Sequence, residues 1–477
     1  MTYRGQKNML QVEALLADLD RRPEQVLLWM GDREVTAGEF RSMIYRAARA
    51  LGDRGLGRDD GVAVLEANTP EVLAVRIGAE LAGCRTAVLY RRMAPTGQVA
   101  LLDTVRAALF VLPADAPARE LTGRPVCTTE ELLAHPDDSP LPARCQVGDV
   151  GQLRFTGGTT GLPKTIVRRH VPRPEADPAL PNPFADGIQL LCTPYAHAGG
   201  GLLEIVLAMN GGGVLLPSFD AHAVAAAIEK HRVTNIWLLP TMLYELAEVA
   251  DQYDLSSLRM VLYGGWRAAP DRLRQAAAKL GPVLFQFYGQ NEAGGISMLY
   301  PADHLDERRA GTVGTAMPGV EIEIRNGGEI WVRSAMVMDE YWENPELTAL
   351  TLVDGWLHTG DRGFLDPDGY LTISGRTKEM IIVSGGHVYP RDVEEVLLTH
   401  PAVSEAVVFG VLGADGAESV HAAVVGAGAD PAELVDWVVR HRGEMYRPRA
   451  VLVLDELPLT AADKPDVRRL TDLVLSL

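Results

Sequence analysis

The sequence predicts a layered α/β protein. A large N-terminal domain of mostly parallel sheets with helices carries a small β-rich subdomain, and a small α+β domain follows at the C-terminus. Three observations predict this. The chain has 477 residues, and a single core seldom grows past roughly 250–300 residues, so at least two domains are expected. Helical patterns alternate with short apolar runs from about residue 10 to 290, as in sheets layered with helices. The pattern then changes twice, near Gly311 and near Arg376.

In chain order, Ala37 to Leu51 reads as a helix and Val62-Ala63-Val64-Leu65 as a strand. Pro70 to Ala82 reads as a second helix and Thr86-Ala87-Val88-Leu89 as a second strand. The runs Leu190-Leu191-Cys192, Ile236-Trp237-Leu238-Leu239 and Met260-Val261-Leu262-Tyr263 each end in a turn with Gly or Pro. Parallel sheets place their ligand loops at such ends. The stretch Val171 to Asp186 has no period and reads as a surface excursion. From Gly311 to Ile373 short alternating strands appear, among them Val320 to Ile324 and Glu329 to Val332. Beyond Arg376 come a helix over Arg391 to Leu398, strands over Ala406 to Val411 and Val420 to Val425, and a helix over Pro431 to His441.

Composition excludes some functions. The net charge is −18 with 47% hydrophobic residues, which suits a core-forming protein and disfavours nucleic acid or an anionic membrane as the main partner. The N-terminus has no apolar signal core, and the most apolar stretch, Gly201 to Pro217, is interrupted by Glu204 and Asn210, so no membrane insertion and a cytoplasmic location are expected. Cys84, Cys127, Cys145 and Cys192 form no C-x-x-C pair, which leaves reduced buried thiols as the expectation. Only six lysines occur, so a lysine inside a motif carries weight.

Four segments carry chemistry. Phe155-Thr156-Gly157-Gly158-Thr159-Thr160-Gly161-Leu162-Pro163-Lys164 combines close-approach glycines, hydroxyls and a cation, the parts of a phosphate-cradling loop. It is not a Walker A loop, because Leu162 and Pro163 separate Gly161 from Lys164. Gln286-Phe287-Tyr288-Gly289-Gln290-Asn291-Glu292 offers a flat ring, amides and a hard oxygen ligand for Mg²⁺. Asp354 to Asp361, followed by Gly375-Arg376-Thr377-Lys378-Glu379, offers a carboxylate for paired hydroxyls and an arginine for ribose or phosphate oxygens. Leu457 to Lys464 ends in a lysine near the C-terminus that, taken alone, reads as an exposed surface charge.

These segments in this order resemble the AMP-forming adenylating superfamily, which includes acyl-CoA synthetases, luciferase-like enzymes and the adenylation domains of nonribosomal synthetases. The resemblance also takes in Val261 to Trp266, Gly311 to Gly319, Gly328 to Val332, and Lys378 to Ile381 leading to Gly385-Gly386-His387-Val388-Tyr389-Pro390. It implies ATP, Mg²⁺ and CoA as cofactors and cosubstrates. Thr156, Gly157, Gly158, Thr159, Thr160, Gly161 and Lys164 would contact the β- and γ-phosphates, and adenine would lie between Gly264-Gly265 and Tyr288. Gly289, Gln290 and Asn291 belong to the same nucleotide site. Asp361 would hold the ribose hydroxyls, Arg376 would support the ribose, and Glu292 would bind Mg²⁺. Lys464 would reach the reacting carboxylate and the α-phosphate. The resemblance further implies an N-terminal domain over 1–376, with its β-rich part at about 311–373, a hinge over 377–379 at Lys378, and a mobile C-terminal domain over 380–477 that carries Lys464.

The chain departs from the pattern at Asn291, where Thr is usual, at Gly157, and at Asp463, which replaces a glycine before Lys464. Asp463 is expected to favour the charged form of Lys464. Pro194 to Gly200 resembles the segment that borders the acyl pocket, so Tyr195, His197, Gly200, Gly294 and Gly295 are candidate substrate residues, with room for an aromatic or medium-sized acid. The implied reaction activates a carboxylic acid as acyl-AMP with release of pyrophosphate and then forms an acyl-CoA thioester. Transfer to an amine or to a separate carrier protein is one alternative, and a non-catalytic nucleotide or acyl-adenylate binder is another. A homodimer is left open.

Overall fold

The computed structural model describes residues 9–116, 123–156, 163–173, 184–266, 268–383, 386–413, 418–460 and 464–476. Two large sheets form the N-terminal domain. The six-stranded sheet runs in the order Val126–Thr128, Ala107–Leu112, Gly61–Leu65, Arg85–Leu89, Val150–Phe155, Thr165–Arg169 and is parallel up to its last, antiparallel hairpin. The nine-stranded sheet is parallel through its centre, from Val26–Met30 across Gly212–Leu215, Ile188–Leu191, Asn235–Leu238 and Met260–Gly264 to Leu284–Gln290. Antiparallel strands close both of its edges.

One core fuses the two sheets. Val62, Val64 and Val111 from the first meet Leu27, Leu28, Leu191 and Leu215 from the second, through the helices Gln11–Arg21, Ala37–Asp53, Pro70–Leu81 and Ala198–Ala208. Separate clusters cover the outer faces. Leu101 and Leu102 pack on the six-stranded sheet, and Val224, Leu243 and Leu273 from three further helices pack on the nine-stranded one. The result is a helix, sheet, helix, sheet, helix stack in which each buried sheet face meets a helix stripe.

Local chemistry sets the helix starts. Thr36 Oγ1 accepts from Glu39 N (3.2 Å) while the Glu39 carboxylate accepts from Thr36 N (2.7 Å), a reciprocal cap for Ala37–Asp53. Thr69 caps Pro70–Leu81, which opens on Pro70 at the first helical position. The two helices approach so closely at Gly78 that a Cβ there would lie 2.7 Å from the Ala47 Cβ.

The β-rich subdomain is a sheet of Glu321–Arg325, Glu329–Arg333, Trp356–Leu365, Leu352–Val353 and Leu371–Arg376. The small C-terminal domain has a three-stranded sheet of Glu405–Leu412, Glu418–Val425 and Ala450–Leu454 with helices Pro390–Leu397, Pro431–Arg442 and Val467–Leu475. The last strand and the last helix were not anticipated, because Ala450–Leu454 is a short run and Val467–Leu475 is charged on one face. Among the described residues, no helix is long and apolar enough to cross a membrane. All four cysteines are free and buried, as expected. Of the excursion Val171 to Asp186, residues 174–183 lie outside the described residues.

Candidate active site

Strand ends from three sheets meet where the C-terminal domain touches the N-terminal one. Asp361, in Trp356–Leu365, pairs across the sheet with Arg376, the last residue of Leu371–Arg376. Its carboxylate is 3% exposed and is held by donors from separate parts of the chain. Arg376 Nε donates to Oδ1 (2.8 Å), and the Tyr288 hydroxyl (2.6 Å) and Gln290 Nε2 (2.7 Å) donate to Oδ2. Gln290 Nε2 also donates to Thr359 O (3.0 Å). A carboxylate offers about four acceptor positions, so three bonds leave it oriented and still able to accept another. Beside Asp361 the Arg376 guanidinium is held more firmly in its charged form, while burial pushes the Tyr288 phenol well above its ordinary range, helped by the same carboxylate.

Strand alternation puts Tyr288 and Gln290 on one face. The register with the partner strand Gly294–Leu299 shifts between Tyr288 and Gly289, with Ile296 as the extra residue, and such a bulge twists the strands locally. Glycine is required at Gly289, where a Cβ would collide with Gly294 O and lie 2.7 Å from the Phe287 ring. At the end of Met260–Gly264, Gly265 has φ +79°, a conformation that favours glycine.

Glu292 follows in the turn after this strand, and its Oε1 accepts from the Tyr341 hydroxyl (3.1 Å). The Tyr341 ring lies 5.0 Å from Lys164 Nζ, within cation–π range. Thr156 N donates to Lys164 O (2.9 Å), closing the base of the Gly/Thr segment, and Asn291 Nδ2 donates to Phe155 O (2.8 Å). Gly157, Gly158, Thr159, Thr160 and Gly161 lie outside the described residues, as do Asp463 and the side chain of Lys378. Arg168 Nη2 donates to Asn291 O (2.6 Å), and burial pushes the Arg168 guanidinium down to about 10.

Lys464 enters from the C-terminal domain. It is half-buried, where a lysine in that motif, taken alone, reads as an exposed surface charge. Burial lowers its pKa first and Arg376 lowers it further, against the attraction of Asp361, Glu292 and Glu379. The net direction is down, because burial next to a guanidinium outweighs these three carboxylates; the expected effect of Asp463 falls outside the described residues. The same ammonium acts on His197. His197 stacks on Tyr90, with ring centroids 4.9 Å apart, and its Nε2 is buried with no hydrogen-bond partner. Burial, with Lys464, pushes its pKa down to about 4, so the ring is neutral at neutral pH.

Tyr195 is buried, and its hydroxyl donates to Glu204, which also pairs with Arg76 (2.9 Å). That hydroxyl therefore belongs to an internal polar network. The candidate glycines are used for packing more than for space. A Cβ at Gly200 would strike Tyr195 O, one at Gly294 would lie 2.8 Å from the Met336 Cβ, and one at Gly295 would lie 2.6 Å from Met317 Sδ. Gly201, by contrast, has nothing within 4 Å. Sequence reasoning missed Tyr341, Tyr90 and Arg168. None lies in one of the four segments read for chemistry, and only the fold brings Tyr341 to Glu292 and Tyr90 to His197. Among the described residues, no three His, Cys, Asp or Glu side chains group to hold a metal. Glu292 thus offers one hard ligand, which fits Mg²⁺ bound mainly through substrate phosphates and water.

Two α/β sheets and a separate small domain bring these cations and carboxylates together, and they define a two-domain α/β protein with this candidate site where the domains meet. The chain belongs to the AMP-binding enzyme family: the family's main model matches residues 16–342 and the AMP-binding enzyme C-terminal domain matches residues 392–464. It is 32% identical to the medium/long-chain-fatty-acid–CoA ligase FadD8 of Mycobacterium tuberculosis, over 95% of this chain and 88% of that one. It is 33% identical to the indoleacetate–CoA ligase of Aromatoleum aromaticum, over 94% and 95%. Among solved structures, the amide bond synthetase McbA from Marinactinospora thermotolerans superposes with a TM-score of 0.85 at 34% identity, over 97% of this chain and 99% of that one.

Proposed function

We propose that the protein activates a carboxylic acid with ATP, forming an acyl-adenylate and pyrophosphate, and then transfers the acyl group to CoA as a thioester. The observation that carries this reading is Lys464, delivered by the C-terminal domain into electrostatic reach of Arg376, Asp361 and Glu292. In such a reaction the acid's carboxylate attacks the α-phosphorus in line, the bond to pyrophosphate breaks, and the protein's part is positioning and charge stabilisation. Asp361, already braced by three donors, accepts from the ribose hydroxyls, with Arg376 beside it. Adenine lies between the Gly264-Gly265 turn and Tyr288, next to Gly289, Gln290 and Asn291. Thr156 to Gly161 and Lys164 hold the β- and γ-phosphates. Glu292 would hold Mg²⁺, which when bound would supply positive charge to the phosphates. Lys464 bridges the attacking carboxylate and the α-phosphate. Neutral His197, with a free buried nitrogen, marks the acyl side of the cleft together with Tyr195, Gly200, Gly294 and Gly295. On this reading residues 1–376 form the N-terminal domain, 377–379 the hinge at Lys378, and 380–477 the C-terminal domain.

An aromatic or medium-sized acid is the favoured substrate class, in keeping with the indoleacetate and fatty-acid ligases among the relatives. A second reading, transfer to an amine, is favoured by the likeness to an amide bond synthetase over nearly the whole chain. Acid-dependent pyrophosphate release with a panel of aryl and medium-chain acids tests the first step. Release is expected with the wild type and a loss of about a hundredfold or more in Lys464→Ala, the scale of removing one charge stabiliser. No release with any acid would leave a nucleotide binder instead. Offering CoA or amines to the adenylate then separates the two acceptors.

A further inference from the structure

We infer that Trp266 is a positioning residue that sets Lys464 in the cleft by gripping the C-terminal domain. Trp266 continues the Gly264-Gly265 turn at the end of a central strand of the N-terminal domain. Its side chain nevertheless packs on a cluster built from the other domain, whose buried members are Val407, Phe409, Val411, Ala423, Leu457 and Leu470. Two of these bracket Lys464 in sequence. Leu457 precedes it and Leu470 follows it, in the first turns of helix Val467–Leu475.

The described residues on either side of 461–463 are tied to each other. Thr460 N donates to Lys464 O (2.7 Å), Lys464 N donates to Thr460 Oγ1 (3.3 Å), and Leu459 bridges Pro465. Lys464, tied in this way to Thr460, moves with the residues on which the two are mounted. Trp266 therefore acts on Lys464 through Leu457 and Leu470. A large, rigid ring is suited to that task, because it covers much apolar area with only two rotatable bonds. The contact also joins the turn assigned to adenine and the lysine assigned to the reacting carboxylate, so this inference rests on the reading above for the reaction but not for the geometry.

The experiment is a double-mutant cycle read by pyrophosphate release, with a geometric control that needs no activity. Trp266→Ala is expected to slow acid-dependent release by about tenfold to a hundredfold, the effect of misplacing a catalytic group by about an ångström. Trp266→Phe, which keeps a ring, is expected to stay within about threefold of wild type. In the Lys464→Ala background, Trp266→Ala is expected to add less than about twofold, because a residue acting only through Lys464 has nothing left to position. Full additivity in that background would overturn the inference, since Trp266 would then act on the nucleotide directly. For the control, lysine acetylation under native conditions is followed by mass spectrometry. Lys464 is expected to label faster in Trp266→Ala and at the wild-type rate in Trp266→Phe, and unchanged labelling in Trp266→Ala would overturn the inference whatever the reaction proves to be. If the wild type releases no pyrophosphate with any acid, the functional reading fails while the labelling comparison still decides the role of Trp266.

Discussion

At the scale of single residues, the candidate site brings together groups whose protonation the surroundings fix. Asp361 is kept in place by three donors, which prevents the sampling of rotamers that a lone surface aspartate would show. His197 is the opposite case: stacked, buried, and without a partner on Nε2. Its pKa falls from its ordinary 6.5 to about 4, so the folded protein resists protonating it. For a depressed histidine the unfolded chain takes up the proton first, so stability is lost as pH falls from about 6.5 toward 4 and changes little below that. His197→Gln is expected to flatten this part of the stability profile, which urea midpoints measured at several pH values between 4 and 7 would check. An unchanged slope would show that other groups dominate the acid limb.

At the scale of elements, the helix Ala198–Ala208 shows two neighbouring glycines with different reasons to exist. Gly200 is pressed against Tyr195 O, whereas Gly201 faces open space. Gly200→Ala is therefore expected to destabilise by about 1–3 kcal/mol, as overpacking does. Gly201→Ala is expected to stabilise by up to about 1 kcal/mol, because alanine loses less backbone freedom in a helix. Equal effects in denaturant unfolding would refute the distinction. From the sequence Gly200 reads as room for a substrate. Elements themselves were legible wherever period and caps agreed, as at Ala37–Asp53 and Pro70–Leu81. The antiparallel strand Gly294–Leu299 was not read, because its opening glycines look like a loop until the neighbouring strand supplies partners.

At the scale of the whole molecule, the contact between domains is both apolar and electrostatic. Arg272 of the N-terminal domain donates to Ser404 O (3.4 Å) while its guanidinium lies over Tyr244 (4.3 Å) and near Glu248. Glu405 sits in the same place. Burial and then the like charge of Glu245 raise its pKa, against Arg272, and Glu245 is raised by burial and Glu248. A carboxylate with a raised pKa favours docking when protonated, so docking weakens as pH climbs through that raised value. Glu405→Gln is expected to strengthen docking at neutral pH, a small effect of about 0.5 kcal/mol. It would appear as slower tryptic cleavage near residues 377–379, and faster cleavage would reverse the sign argued here.

The sequence by itself determined the family, the order of the sheets' building blocks along the chain and the candidates Tyr288, Gln290 and Arg376 that meet at Asp361, because glycine turns, periodicity and short motifs are local signals. Only the tertiary structure decided which groups hold Asp361, that Lys464 is half-buried rather than exposed, and that Trp266 reaches into the other domain. Those depend on contacts between segments tens to hundreds of residues apart, where burial and neighbouring charge set a side chain's state, and no local pattern records them.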